Sequence, residues 1–257
     1  MNVTDLGYFK FMDEKDQVKE MIRYSHNNMN SFETSIRETL EKIKKELVED
    51  EKKLEVCNDL LSKCPPRDVI PSEEELSLYE EITEIERDKF FRNEDLLAIN
   101  EMRIIYLFKN LEIGMKSMIN TAYSSVNLKS LHKWENMKDY FAEKSIRLSL
   151  LTGYQEADQL RKVNNNIKHS MELNSDVKLI TEFRGMDFFT HDSISIFCER
   201  IKPGLEKFQS ELSEAVINER FDFTDEKIET IAKDMYERME EKDAIKLMDK
   251  LKAKYSI

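Results

Sequence analysis

The sequence predicts an all-α protein, and three observations carry that prediction. Glycine and proline are scarce, 5 and 4 in 257 residues, where average usage of roughly 7% and 5% would give about 18 and 13. Sandwiches, barrels and doubly wound folds need those residues for positive φ angles and fixed turns, so they are disfavoured. Apolar residues recur at helical spacing along the chain, which argues against disorder. One stretch also carries a heptad: Ile36, Leu40, Ile43, Leu47, Asp50, Leu54, Cys57 and Leu61.

The elements follow in chain order. Residues 13–62 contain neither Gly nor Pro, and the 4-3 spacing of the heptad keeps one narrow seam toward a partner helix. Cys64-Pro65-Pro66 ends that helix, because neither proline donates a hydrogen bond and each disfavours α before it. Ser72 and Glu75 form a capping box that opens the next helix, with Leu76, Tyr79, Ile82 and Ile85 as its apolar stripe. The pair reads as an antiparallel hairpin, a coiled-coil arm over residues 1–92. A bundle is expected over 93–218. Its first helix, 94–122, is apolar on too many faces for a surface element and is placed centrally. Helices over 130–149 and 154–172 follow, then a strand or loop near Val177–Ile180. A helix over 191–218 should kink at Pro203-Gly204. Thr224 caps the first of the short helices of a C-terminal tail, 219–257.

Composition narrows the function classes. No run of 18 apolar residues exists, so no membrane span is expected. The first residues lack a basic start and an apolar core, so no secretory signal is expected. Three cysteines without CxxC spacing read as reduced thiols, and a cytoplasmic setting is expected. Four histidines, none in HExxH, give no metal site, and no Gly-rich motif for a nucleotide cofactor is present. The formal charge is -12, yet residues 102–170 hold 11 Lys/Arg against 6 Asp/Glu. An acidic chain thus concentrates positive charge in one segment, where a polyanion, RNA or a nucleotide, would be met.

That segment ends in Asp158-Gln-Leu-Arg161-Lys162-Val-Asn164-Asn165-Asn166-Ile-Lys168-His169-Ser170. Three consecutive Asn are costly in a helix, because Asn competes for backbone hydrogen bonds. At about 100° per residue, with Arg161 at zero, Asn165 falls near 40°, Lys168 near -20° and His169 near 80°. Leu160, Val163 and Ile167 point elsewhere, toward a core. A guanidinium, an amide, an ammonium and an imidazole on one stripe suit phosphate recognition, and imidazole suits proton transfer near neutrality. A wet face of an amphipathic helix is the ordinary alternative.

Asn165-Asn166-Ile167-Lys168-His169 resembles the Asn-x-x-Lys-His ending of divergent HEPN-superfamily proteins, and Glu101-Met-Arg103-Ile-Ile-Tyr-Leu-Phe resembles the first long helix of their bundle. The resemblance covers roughly residues 94–218. It implies an antiparallel helical bundle of HEPN type and, in many prokaryotic members, a ribonuclease toxin or abortive-infection effector of antiviral defence. Seven residues separate Arg161 from His169, one more than the family spacing. Either Arg161 acts from one position further, or Lys162 replaces it, or the site is degenerate.

The resemblance further implies metal-independent RNA cleavage without a cofactor at a site shared by a homodimer. His169 would act as acid or base, Arg161 and Lys168 would stabilise phosphorane charge, Asn165 would hold His169 or a phosphate oxygen, and Lys162, Asn164 and Asn166 would bind RNA or nucleotide. The N-terminal seam offers a second route to dimerisation or a place for an antitoxin or sensor. A non-catalytic helical interaction protein and a nucleotide sensor with a degenerate site are the alternatives.

Overall fold

A computed structural model describes residues 13–26, 30–64, 71–123 and 126–255. The protein is all-α: nine helices and no strand are found among the described residues. No helix there is long and apolar enough to cross a membrane. α1 (Glu14–Arg23) starts at Asp13, whose carboxylate accepts the Asp16 amide at 2.8 Å. α2 is Asn30–Lys63 and α3 is Glu73–Ala122. The expected capping box opens α3: Ser72 Oγ accepts from the Glu75 amide at 3.2 Å, and Glu75 Oε2 accepts from the Ser72 amide at 2.6 Å.

α2 and α3 form an antiparallel hairpin, as their ion pairs show. Rising numbers on α2 meet falling numbers on α3: Glu33 with Arg103, Glu46 and Asp50 with Arg92, and Glu51 with Lys89. The heptad faces this contact. Ile36, Leu40, Asp50 and Cys57 are buried, and the other four positions are half-buried. The α2 seam is therefore occupied by the chain's own α3 and is not open to a second copy. Asp50 sits within it because Arg92 Nη1 reaches its carboxylate at 2.5 Å.

α3 departs from the expectation in two ways. It is a single helix of 50 residues, about 75 Å long, so the boundary drawn at 92/93 falls inside it. Asn93 does not break it. One Asn costs a helix at most about 0.7 kcal/mol, and its amide donates to the Lys89 carbonyl at 2.9 Å. Second, the inward stripe is Leu78, Ile82, Ile85, Lys89, Arg92 and Leu96, while Leu76 and Tyr79 are about half exposed (48% and 50%). The C-terminal half of α3 is the central element, with Ile104, Leu107, Leu111, Met115, Met118 and Ile119 all buried.

A 3₁₀ turn at Leu128–Leu131 precedes α4 (Trp134–Glu143). α4 is shorter than the expected 130–149: it ends at Glu143, and Ser145 takes φ +62° just beyond it. Leu131, Trp134, Met137, Phe141 and Ile146 are nevertheless buried as the pattern requires. α5 (Tyr154–His169) follows, then α6 (Ser175–Lys178) and a 3₁₀ turn at Thr181–Phe183 in place of the strand or loop. α7 spans His191–Phe221 and is unbroken through Pro203.

α5 and α7 run antiparallel, with Gly153 against Gly204 and Gln159 against Arg200. Gly153 has φ +82°, and a Cβ there would lie 1.9 Å from the Gly204 carbonyl oxygen. Both the backbone angle and the helix approach therefore require glycine. Buried Arg103 of α3 ties α2 to α7 through Glu33 and, at 2.7 Å, Glu199. Burial opposes its charge, but these hydrogen bonds prevail and hold the guanidinium above its ordinary range. Beside it, burial pushes the Cys198 thiol up to about 12.

Residues 1–216 form one compact unit and residues 217–257 a second. The second contains α8 (Asp225–Arg238), capped by Thr224 as expected, and α9 (Glu241–Tyr255). Neither α8 nor α9 has a buried residue.

Candidate nucleic-acid interface

α5 carries the candidate site, and its two faces divide the residues that the sequence grouped. Ala157, Leu160 and Val163 are fully buried and anchor the helix against α3. Asn165, Lys168 and His169 are exposed, and Arg161 and Lys162 are half-buried beside them. These five share the outer face, as the helical wheel predicts. His169 is the last residue of the helix, and its ring makes no hydrogen bond among the described residues. Lys168 and His169 also lie where cations complement the negative end of the helix dipole.

Asn164 and Asn166 are not on that face. They are 1% and 2% exposed, which corrects their assignment to ligand binding. The Asn166 side chain is committed to the chain that follows: Nδ2 donates to the Glu172 carbonyl at 3.0 Å, and Oδ1 accepts from the Asn174 amide at 2.8 Å. Ser170 Oγ also donates to the Glu172 carbonyl, at 2.7 Å. Asn166 thus replaces the helical hydrogen bonding that ends at His169 and folds the chain back. Asn164 Nδ2 donates to Asn165 Oδ1 at 3.2 Å, and its own Oδ1 is buried without a partner among the described residues. The wheel held this signal. With Arg161 at zero, Asn166 lies near 140° and Asn164 near 300°, roughly at the two borders of the apolar arc.

Asp158 organises the lower half of the face, and the sequence reading gave it no role. Its Oδ1 accepts from Arg161 Nε at 3.0 Å and Nη2 at 2.7 Å, and its Oδ2 pairs with Lys162 Nζ at 3.1 Å. The i,i+3 and i,i+4 spacing was the available sign. Burial works against the Asp158 charge, but the bonds and charges of Arg161 and Lys162 outweigh it and hold the carboxyl below its ordinary range. Lys138 of α4 belongs to the same neighbourhood. Glu135 keeps its ammonium charged, and the field of Asp158 adds to that. Among the described residues no carboxylate is bound to the upper half, Asn165, Lys168 and His169.

From Arg161 to His169 the helix rises about 12 Å. The face therefore presents two cationic stations one turn or more apart: Lys168 with His169 at the helix end, and Arg161 with Lys162 on their shared carboxylate. No group of His, Cys, Asp and Glu among the described residues is arranged to hold a metal ion. Comparison of the chain with protein-family models, with curated proteins and with solved structures gives no match.

Proposed function

We propose that the outer face of α5 binds the phosphodiester backbone of RNA and that the protein is a HEPN-like endoribonuclease of the toxin or defence-effector kind. The observation that supports this reading most is the exposed Asn165, Lys168 and His169 at the helix end, with neither imidazole nor ammonium paired to a carboxylate among the described residues. One phosphate meets these three groups. Arg161 and Lys162 lie one to two turns back, positioned for the next phosphate along the strand, and Asp158 fixes their direction.

In the reaction the 2′-hydroxyl attacks the adjacent phosphorus, and the P–O5′ bond breaks to leave a 2′,3′-cyclic phosphate and a 5′-hydroxyl. One imidazole takes the 2′ proton, and an imidazolium returns one to the leaving oxygen. Lys168 stabilises the charge that develops on the non-bridging oxygens. One chain supplies a single histidine on this face, so the acid and the base come from two copies. The free enzyme requires one His169 neutral and one protonated.

A second reading rests on the Asp158 clamp. With Arg161 and Lys162 neutralised in part, the face is also that of a binding protein that holds RNA or a nucleotide without cutting it. The two readings separate in one assay. Wild type and His169→Ala are compared for total-RNA integrity in a producing host and for cleavage of purified RNA in EDTA. Cleavage that persists in EDTA and is lost in His169→Ala supports the nuclease. RNA binding without cleavage by either protein supports the binding reading.

A further inference from the structure

Position 164 is a core position occupied by an amide. Ala157, Leu160 and Asn164 follow the 3-4 spacing of the buried stripe of α5, and Asn164 is 1% exposed. An amide buried with an unpaired atom costs free energy that an apolar side chain of similar shape does not. Asn164 Oδ1 has no partner among the described residues. Its Nδ2 donates to Asn165 Oδ1 at 3.2 Å. Two other helical asparagines of the chain behave differently. Asn93 and Asn100 each donate to the carbonyl four residues back, both at 2.9 Å, a local bond open to a polar side chain inside a helix. Asn164 turns instead to the next side chain, and that side chain is the exposed amide of the candidate site.

We infer that Asn164 is a positioning residue. It holds the Asn165 amide with Oδ1 turned inward and the two Nδ2 hydrogens turned outward, toward an oxygen acceptor on the ligand. The amide is planar, and its oxygen and nitrogen diverge from Cγ, so fixing one fixes the direction of the other. Asn165 thus offers donors on the side where Lys168 offers its own. Phosphate oxygens only accept, whereas base edges mix donors with acceptors, so the helix end reads backbone rather than sequence. Because Asn165 is ordered before the ligand arrives, binding loses less side-chain entropy there. The nature of the ligand rests on the phosphodiester reading of α5; the positioning of Asn165 rests on the hydrogen bond.

The test uses the full chain carrying Asn164→Leu, which keeps a branched side chain and removes the unpaired acceptor. Asn164→Ala repeats each measurement and carries the test if the larger side chain does not fold. Nitrogen relaxation of the Asn165 side-chain amide, without RNA, is expected to give an order parameter of about 0.8 in wild type and below about 0.6 in the variant. Affinity for a short 2′-O-methyl oligoribonucleotide, which has no 2′-hydroxyl to react, falls about three- to fivefold in Asn164→Leu, the cost of ordering one side chain. It falls about tenfold in Asn165→Ala and no further when the two are combined. The salt dependence of binding is unchanged in Asn164→Leu, which removes no charge, and is shallower in Lys168→Ala. Tm stays at or above that of wild type, whereas an amide with a structural role alone would lower Tm and leave affinity unmoved. An Asn165 amide equally mobile with and without Asn164 overturns the inference. So does an affinity indifferent to Asn164→Leu but weakened by Lys168→Ala, which leaves the phosphodiester reading standing, or a loss that persists when Asn165 is already Ala. A rigid Asn165 released by Asn164→Leu, in a protein that binds no oligonucleotide, upholds the positioning and refutes the phosphodiester reading instead.

Discussion

Replacing Asn166 by Ala separates a structural asparagine from a ligand contact. The side chain is 2% exposed and makes two hydrogen bonds, at 3.0 Å to the Glu172 carbonyl and 2.8 Å from the Asn174 amide. In the variant the Glu172 carbonyl keeps its bond from Ser170 Oγ, so its loss is small. The Asn174 amide is left with no acceptor in a partly buried place, at a cost of about 1–3 kcal/mol. The volume left behind and the second lost bond add about 1 kcal/mol. A total near 3 kcal/mol corresponds to a fall in Tm of about 6–12 °C for a unit of this size. The assay is differential scanning fluorimetry, paired with RNA binding measured at least 15 °C below the lower Tm (a margin set by that shift, about 6–12 °C). The expected outcome is a lower Tm with RNA affinity unchanged. An unchanged Tm with lost RNA affinity would refute the structural role and return Asn166 to the ligand face.

Three further outcomes follow from the same structure. Gly153→Ala places a Cβ 1.9 Å from the Gly204 carbonyl oxygen at φ +82°; the left-handed angle alone costs about 1–2 kcal/mol, the clash adds to it, and thermal unfolding should shift down by several degrees or the protein should be insoluble. Arg92→Ala leaves the Asp50 carboxylate buried in the α2–α3 seam, with only Lys53 at 3.9 Å, and should cost about 3 kcal/mol by urea titration, while Asp50→Leu with Arg92→Leu should recover most of that loss. Asp158, held by Arg161 and Lys162, and Glu182, which Arg200 Nε reaches at 2.5 Å, both have carboxyl pKa values lowered by these cations against the opposing effect of burial: their contribution is fully present above the ordinary values of 3.8 and 4.5 and is lost as pH falls through the depressed ones, so Tm measured from pH 6 downward should decline more steeply in wild type than in Asp158→Asn with Glu182→Gln.

Much of the fold was legible because helical periodicity is a one-dimensional signal. The α2 seam, the capping box at Ser72 and the cap at Thr224 all sit where the residues require. The end of α4 was not legible. Ser145 adopts a positive φ without being glycine, and there the Ser145 amide donates to the Ala142 carbonyl at 2.9 Å and the Ile146 amide to the Phe141 carbonyl at 2.8 Å, the bonds of a left-handed helix end. The continuity of α3 was hidden for a related reason. Asn93 is a weak breaker, and the gain from keeping both halves packed exceeds its cost.

In the site, the outward set Arg161, Asn165, Lys168 and His169 could be read from angles alone. The angles of Asn164 and Asn166 also put them at the borders of the apolar arc, but polarity was taken to mean exposure, and a buried Asn166 that satisfies backbone groups reverses that sign. The role of Asp158 lay in its i,i+3 and i,i+4 spacing to Arg161 and Lys162, a sign that recurs too often in a chain so rich in charge to single out one carboxylate.

The unbroken α3 has a mechanical consequence. Between Glu73 and Ile113 it contains neither Pro nor Gly, so the arm has no hinge where it leaves the bundle. Its Gly-free stretch runs from Glu73 to Ile113, and α5 packs against the same helix. Any torque set by what grips the arm is delivered to the seat of α5 as rotation or tilt, not absorbed along the way. Gly-Gly in place of the exposed Asn93-Glu94 would loosen this transmission without shifting the register of the faces on either side.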